Sequence, residues 1–361
     1  MRQSAEIPMP SEALLALTYR CNAKCHMCNI WRFPSAPAEE VTPADLDKLP
    51  ESFTFANITG GEPFLRKDIE DVIEVVLAKT KRLVVSTNGF FTERILKAAK
   101  RFSPRMGVRI SIEGLPAAND ELRGIKNGFD HGLRTLLRLR ELGVKDIGFG
   151  ITVSDRNARD MLELYALAES MGLEFATAAM HNTYYFHKYD NSFQDVDMIS
   201  EQFRRIATRL LKTNRPKNWF RAYFNHGLAN YVRGNARLLP CEVASDVFFM
   251  DPFGEIRPCN GMKESMGNIR QAAFEEIWNS AKAAEVRRKV SECKQNCWMV
   301  GSVAPAMKKR LGIPAAWVAR NKLRVLAGKE PAWCFDDVRQ ASKEPGVECP
   351  APHSMDKNRQ R

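Results

Sequence analysis

Cys21, Cys25 and Cys28 lie within one eight-residue run, Cys21-Asn22-Ala23-Lys24-Cys25-His26-Met27-Cys28, directly after the apolar stretch Leu14 to Tyr19. Three thiolates so close together can hold three corners of an iron–sulfur cube. No further Cys, His, Asp or Glu occurs in the ten residues that follow, so one iron would lack a protein ligand and be open for chemistry. A zinc site would need a fourth soft or imidazole ligand, and His26 sits between two of the thiols, where it could not easily close their tetrahedron. A disulfide framework would call for an export signal, and the start of the chain has neither a charged region nor a long apolar one.

A second thiol set begins at Cys241. It continues through Val247-Phe248-Phe249-Met250, the turn Asp251-Pro252-Phe253-Gly254, then Glu255-Ile256-Arg257 and Cys259. This reads as two short strands around a tight turn, a hairpin that can bring Cys241 and Cys259 together. A helix over Ala272 to Val290 leads to Cys293 and Cys297. Two plus two thiols suffice for a closed cluster or a zinc site.

The elements that must position these residues alternate. Strand-like runs at 13–19, 53–59, 82–87, 108–112, 146–152 and 173–179 are separated by amphipathic segments such as Asp68 to Leu77 and Leu133 to Leu142. Six βα repeats predict an α/β architecture, a partial (β/α)6 TIM-like barrel, followed by a small cysteine-rich domain. In such barrels ligand contacts come from the C-terminal ends of strands. The polar and glycine-rich clusters all fall there: the Cys loop, Gly60-Gly61-Glu62-Pro63, Ser86-Thr87-Asn88-Gly89, Ser111 to Gly114, Thr152 to Ser154, and Met180-His181-Asn182. Ser111 and Glu113 alternate along one strand and can face the same way, and paired glycines let backbone approach a ligand closely.

Cys-x3-Cys-x2-Cys after a first strand, Gly-Gly-Glu-Pro after the second and the later rim residues resemble the radical S-adenosylmethionine (radical SAM) superfamily over roughly residues 13–180. The resemblance implies that Cys21, Cys25 and Cys28 ligate a [4Fe–4S] cluster whose fourth iron chelates S-adenosylmethionine. It puts Met27 near adenine, Gly60, Gly61, Glu62 and Pro63 along the methionine amine, Asn88 at the cofactor rim, and Ser86, Ser111, Glu113 and Arg123 at the ribose and carboxylate. Glu113 stands where many relatives carry Asp. The chemistry implied is reductive cleavage of S-adenosylmethionine to a 5′-deoxyadenosyl radical that takes a hydrogen atom from substrate, with an electron donor of the flavodoxin or ferredoxin kind.

The later segment resembles the twitch domain, the shortened relative of the SPASM domain. That resemblance implies one auxiliary [4Fe–4S] cluster on Cys241, Cys259, Cys293 and Cys297, assisting oxidation or rearrangement. The expected substrate is a sugar-like or peptidyl small molecule or peptide. His181 is the candidate substrate contact. Cys334 is the candidate hydrogen-atom donor if the enzyme is a radical epimerase; a buried, inert Cys334 is the plainer reading. A peptide- or protein-modifying maturase and a non-enzymatic metal-binding module remain as rivals.

Composition bounds the rest. The 361 residues, 44% hydrophobic, suit one large domain and a smaller one, and no run approaches a membrane span. Nine cysteines without an export signal favour a reducing compartment, hence the cytoplasm. Of the net charge of +11, a surplus of 9 lies between Lys282 and Arg361, where an acidic partner would find it. The expected organisation is an N-terminal extension (1–12), a radical SAM core (13–180), a helical aromatic-rich connector (181–240), the auxiliary-cluster domain (241–300), a basic helical segment (301–342) and a disordered tail (343–361). Within the basic segment, Pro314 to Lys329 reads as an amphipathic helix that docks on the protein or lies on a membrane surface.

Overall fold

The computed structural model describes residues 7–333, so Cys334 and the expected tail lie outside the described residues. The described residues divide into two compact units, one of 7–192 with 241–293 and the other of 193–240 with 294–333.

The first unit is built on one sheet. Strands β1 (Glu12–Ala16), β2 (Phe55–Thr59), β3 (Leu83–Thr87), β4 (Met106–Ser111), β5 (Ile147–Val153) and β6 (Glu174–Ala179) run parallel and neighbour one another in sequence order. Helices α1 (Pro43–Leu46), α2 (Ile69–Lys79), α3 (Thr92–Phe102), α4 (Pro116–Arg123), α5 (Gly128–Glu141) and α6 (Met161–Ser170) come between the strands. Both sheet edges stay apart, so the barrel is open, as the six repeats predict. The strands alternate between buried residues such as Ile58, Val85, Ile110 and Phe149 and a half-exposed face carrying Thr59, Ser86, Ser111 and Gly150. A Cβ added at Gly150 would meet nothing within 4 Å, so that face opens on free space.

The sheet does not end at β1. The expected hairpin forms from β7 (Val247–Met250) and β8 (Glu255–Arg257), and β7 pairs parallel with β1, Glu12 opposite Val247 and Leu15 opposite Met250. A short β9 (Gly267–Asn268) completes nine strands in the order β6-β5-β4-β3-β2-β1-β7-β8-β9. Phe248 is fully buried between Phe53, 5.8 Å away, and Phe274, 4.9 Å away, which anchors the addition in the core. The single helix expected over 272–290 is two, α9 (Phe274–Trp278) and α10 (Ala281–Ser291). The break falls at Asn279-Ser280, where Ser280 Oγ accepts from the Ala283 amide and starts a new helix.

The second unit is helical. In it α7 (Val196–Lys212) is capped by Asp195, whose carboxylate accepts from the Met198 amide, and buries Ile199, Phe203, Ile206 and Leu210 at helical spacing. The unit also contains α8 (Pro216–Val232), α11 (Val300–Lys309) and α12 (Gly312–Leu326). The expected basic helix is α12; it buries Pro314, Val318 and Asn321, and Lys322 Nζ donates to the carbonyls of Leu211 and Thr213 at the end of α7.

Candidate active site

The Cys loop leaves β1 at the C-terminal rim and is held on two sides. On one side the Lys24 and His26 amides donate to the carbonyls of Arg123 and Leu122, at 2.9 and 2.7 Å, so the loop caps α4. On the other, the Asn29 amide donates to Phe186 O, Asn29 Nδ2 to His187 O and Asn191 Nδ2 to Met27 O. Met27 is buried by this clamp.

Three thiols and one guanidinium share the centre. Burial pushes the Cys21 and Cys28 thiols up to about 12, and the neighbouring thiols add to the rise. Cys25 is raised too, again by burial, with Arg123 opposing. Sulfurs placed like this become thiolates when a metal ion holds them. None of the seven described cysteines is in a disulfide. Among the described residues no three His, Cys, Asp or Glu side chains converge on a single metal-ion position. A cube does not need that convergence, because its thiolates bind separate irons.

Arg123 is 8% exposed and reaches into this cluster. Its Nη1 donates to Glu113 Oε1 at 3.0 Å, and the other Glu113 oxygen accepts from the Thr152 amide at 2.6 Å. Burial disfavours the cation, yet Cys25, Glu113, Cys21 and Glu62 together raise its pKa, so it stays charged. Its Nε is buried and has no hydrogen-bond partner. An unmatched donor of this kind, beside three thiols and an open sheet face, suits a ligand that brings a carboxylate.

Glu62 and Asn88 act differently from their neighbours. Glu62 is fully buried and accepts from the Phe64 amide, Thr87 Oγ1 and the Asn88 amide. It thereby ties the β2 loop to the end of β3. Asn88 Nδ2 continues the link to Asn22 Oδ1 inside the Cys loop, at 2.7 Å. Pro63 begins a buried turn, and Ser86 accepts from Asn57 Nδ2. Gly60 and Gly61 press against the approach to the Cys loop: Cβ atoms there would lie 2.6 Å from Thr18 O and 2.1 Å from Arg20 O. Gly60 also has φ of +140°. The glycine pair is thus required by backbone packing as well as by any ligand.

Sequence reasoning passed over the group beneath the loop. Glu40, 3% exposed, accepts from Thr18 Oγ1, Ser35 Oγ at 2.7 Å, Arg20 Nε and Nη2 at 3.0 and 2.7 Å, and Arg66 Nη1 at 3.4 Å. Arg66 is equally buried and also holds Asp68 and the carbonyls of Leu17 and Val41. No motif flags Glu40. The one available signal is an arginine directly before Cys21, which needs a partner once buried.

His181 follows β6 and is half-buried; its Nδ1 lies 3.1 Å from Ala179 O, and burial lowers its pKa. Its Nε2 has no partner, and its carbonyl accepts from Asn191, the same side chain that holds Met27. Of the expected connector aromatics, Tyr185 is core, packed 5.8 Å from Tyr19 and 4.9 Å from Phe249. Cys241, Cys259 and Cys293 belong to the first unit and Cys297 to the second. Within its unit, Cys297 accepts through its carbonyl from Arg237 Nη1, and the next residue, Trp298, lies against Gly227 of α8 and donates to Phe224 O.

The radical SAM superfamily profile matches residues 15–168, and that of SPASM, an iron–sulfur cluster-binding domain, matches residues 241–298. The Fe-coproporphyrin III synthase of Methanosarcina barkeri is 30% identical over 204 residues, 53% of this chain and 51% of that protein. The antilisterial bacteriocin subtilosin biosynthesis protein AlbA of Bacillus subtilis is 26% identical over 299 residues, 77% of this chain and 61% of that protein. The chain thus spans less than two thirds of either relative. Streptococcus suis SuiB bound to its precursor peptide SuiA superposes with a TM-score of 0.61 at 16% identity, over 78% of this chain and 67% of that one, a likeness of fold. The two domains imply a cluster-bound S-adenosylmethionine and auxiliary iron–sulfur chemistry. No helix among the described residues is long and apolar enough to cross a membrane.

Proposed function

The chain belongs to the radical SAM superfamily and carries a SPASM domain, and on that premise we propose that it cleaves S-adenosylmethionine reductively and removes a hydrogen atom from a peptidyl substrate. When bound, the reduced [4Fe–4S] cluster supplies the electron that opens the carbon–sulfur bond. Cys21, Cys25 and Cys28 hold that cluster, in a loop fixed by α4 on one side and by the 186–191 segment on the other. Arg123 Nε donates to the methionine carboxylate, while Glu113 keeps the guanidinium oriented and charged. Met27, Gly60 to Pro63, Asn88, Ser86 and Ser111 bound the cofactor along the open sheet face, and His181 meets the substrate beyond β6. In the SPASM segment Cys241, Cys259 and Cys293 would be the first unit's ligands to an auxiliary cluster, whose chemistry when bound would be to accept the electron left on substrate.

The observation that carries the cofactor reading is the unpartnered, buried Arg123 Nε beside three thiols. The peptidyl substrate is supported by AlbA, a bacteriocin biosynthesis protein matched over 77% of this chain. The Methanosarcina synthase, at the higher identity, favours a tetrapyrrole as the second reading.

The test is iron and sulfide content after anaerobic reconstitution, with S-adenosylmethionine binding and 5′-deoxyadenosine release under dithionite. Wild type should carry about eight irons and the Cys21/Cys25/Cys28→Ala variant about four with no cleavage. Arg123→Lys should keep its iron and bind S-adenosylmethionine at least about tenfold more weakly. Zinc without iron, or an iron-loaded protein that does not bind S-adenosylmethionine, would overturn the reading. Deoxyadenosine formation stimulated by an iron porphyrin and by no peptide would transfer the substrate to the second reading.

A further inference from the structure

From the α11–α12 segment of the second unit we infer a docking surface for an anionic phospholipid bilayer. Between Lys294 and Lys329 the sequence holds eight lysines and arginines and no aspartate or glutamate. Eight large apolar side chains are exposed among the described residues, and five of them, Val300, Leu311, Ile313, Leu323 and Leu326, lie in this stretch. Leu323 and Leu326 are 68% and 72% exposed, beyond what a satisfied surface helix ordinarily shows.

The arrangement along α12 is periodic. Pro314, Val318 and Asn321 are buried, and Lys322 is drawn inward to the Leu211 and Thr213 carbonyls. Ala316, Ala319, Leu323, Leu326 and Ala327 are exposed at intervals of three and four, with Arg320 among them and Lys329 at the end. Glu330 follows directly after this stretch, and Lys308, Lys309 and Arg310 have partners of their own, so the cations that border the stripe are Arg320 and Lys329. An apolar stripe with such a basic border matches an interfacial helix, whose leucines enter the acyl boundary while its basic side chains meet phosphate. A second copy of the chain fits poorly, because pairing the stripe would bring Arg320 and Lys329 of two copies together.

The test is flotation of the iron-loaded full chain with vesicles of phosphatidylcholine alone and of phosphatidylcholine mixed with phosphatidylglycerol. The protein should float with the anionic vesicles only, and salt should release it. Leu323→Glu/Leu326→Glu and Arg320→Glu/Lys329→Glu should each weaken binding about tenfold or more, with unchanged thermal unfolding since all four side chains are exposed or edge residues. No flotation, or flotation that the leucine variant leaves intact, overturns the proposal. A dimer by light scattering that the leucine variant disperses assigns the stripe to a second copy and overturns it. So does binding to polyglutamate without binding to vesicles, which would indicate an acidic protein.

Discussion

Replacing Glu40 by alanine removes a carboxylate that two arginines, a threonine and a serine share beneath the Cys loop. Its side chain is 2% exposed, as is nearly so that of Arg66 at 3%, while Arg20 is 25% exposed. Removing one partner of a buried ion pair costs about 3–5 kcal/mol, because the other charge is left without compensation. Arg66 retains Asp68 and the carbonyls of Leu17 and Val41, so the low end, about 3 kcal/mol, is expected. At about 2–4 °C per kcal/mol for chains of this size, the first thermal transition should fall by about 6–12 °C. Differential scanning fluorimetry on metal-free protein reads this directly, and urea unfolding gives the energy. Iron per chain should fall with it, since Thr18 to Arg20 lead into Cys21. In a double-mutant cycle the coupling of Glu40 to Arg66 should exceed its coupling to the more exposed Arg20. A transition lowered by less than about 2 °C, or the stronger coupling falling on Arg20, would refute the claim that this buried carboxylate fixes the approach to the loop.

Gly61→Ala should fail to retain the Cys-loop iron and lose about 1–3 kcal/mol of stability, because its Cβ would press into rigid backbone, 2.1 Å from Arg20 O and 3.1 Å from Tyr19 C; Gly150→Ala, into open space, should unfold like wild type, and equal behaviour of the two would contradict the packing described. Asp146 is pushed up by burial but held below the usual carboxylate range by Arg109 and Arg82, at 2.5 and 2.7 Å. A depressed carboxyl stabilises the fold above its unfolded value of about 3.9, and that contribution disappears as pH falls through the lower folded value. Asp146→Asn should therefore cost about 1 kcal/mol at neutral pH and give a shallower loss of stability below about pH 4 in urea titrations; acid limbs that stay parallel would show the pairs to be energetically silent.

The six parallel strands were legible because each is an apolar run set between helical periodicities, and their observed ends fall close to the expected ones. The hairpin was legible from its turn, Asp251 to Gly254. Its pairing with β1 was not, because it joins Glu12 to Val247 across the length of the core, and sequence carries no local signal for such a contact. The Cys loop and Arg123 stood out by spacing and resemblance, and the structure does bring Cys21, Cys25, Glu113 and Arg123 into one electrostatic group. What spacing could not reveal is the support. Glu40 sits in an unremarkable loop, and Asn191 reaches Met27 from a distant segment. Gly60 and Gly61 stood out as a ligand approach; that their missing side chains also make room for the Thr18 and Arg20 backbone could not be read from the dipeptide.

The seat of β7 beside β1 has a consequence for attempts to shorten this protein. An excised barrel ending after β6 would leave β1 with a bare row of amides and carbonyls, on the strand that feeds the Cys loop. Such an edge invites pairing with other chains. The cysteine-rich segment therefore works as a selvedge on the parallel sheet, and trimming it away would yield fibres or precipitate before it yielded a smaller folded protein.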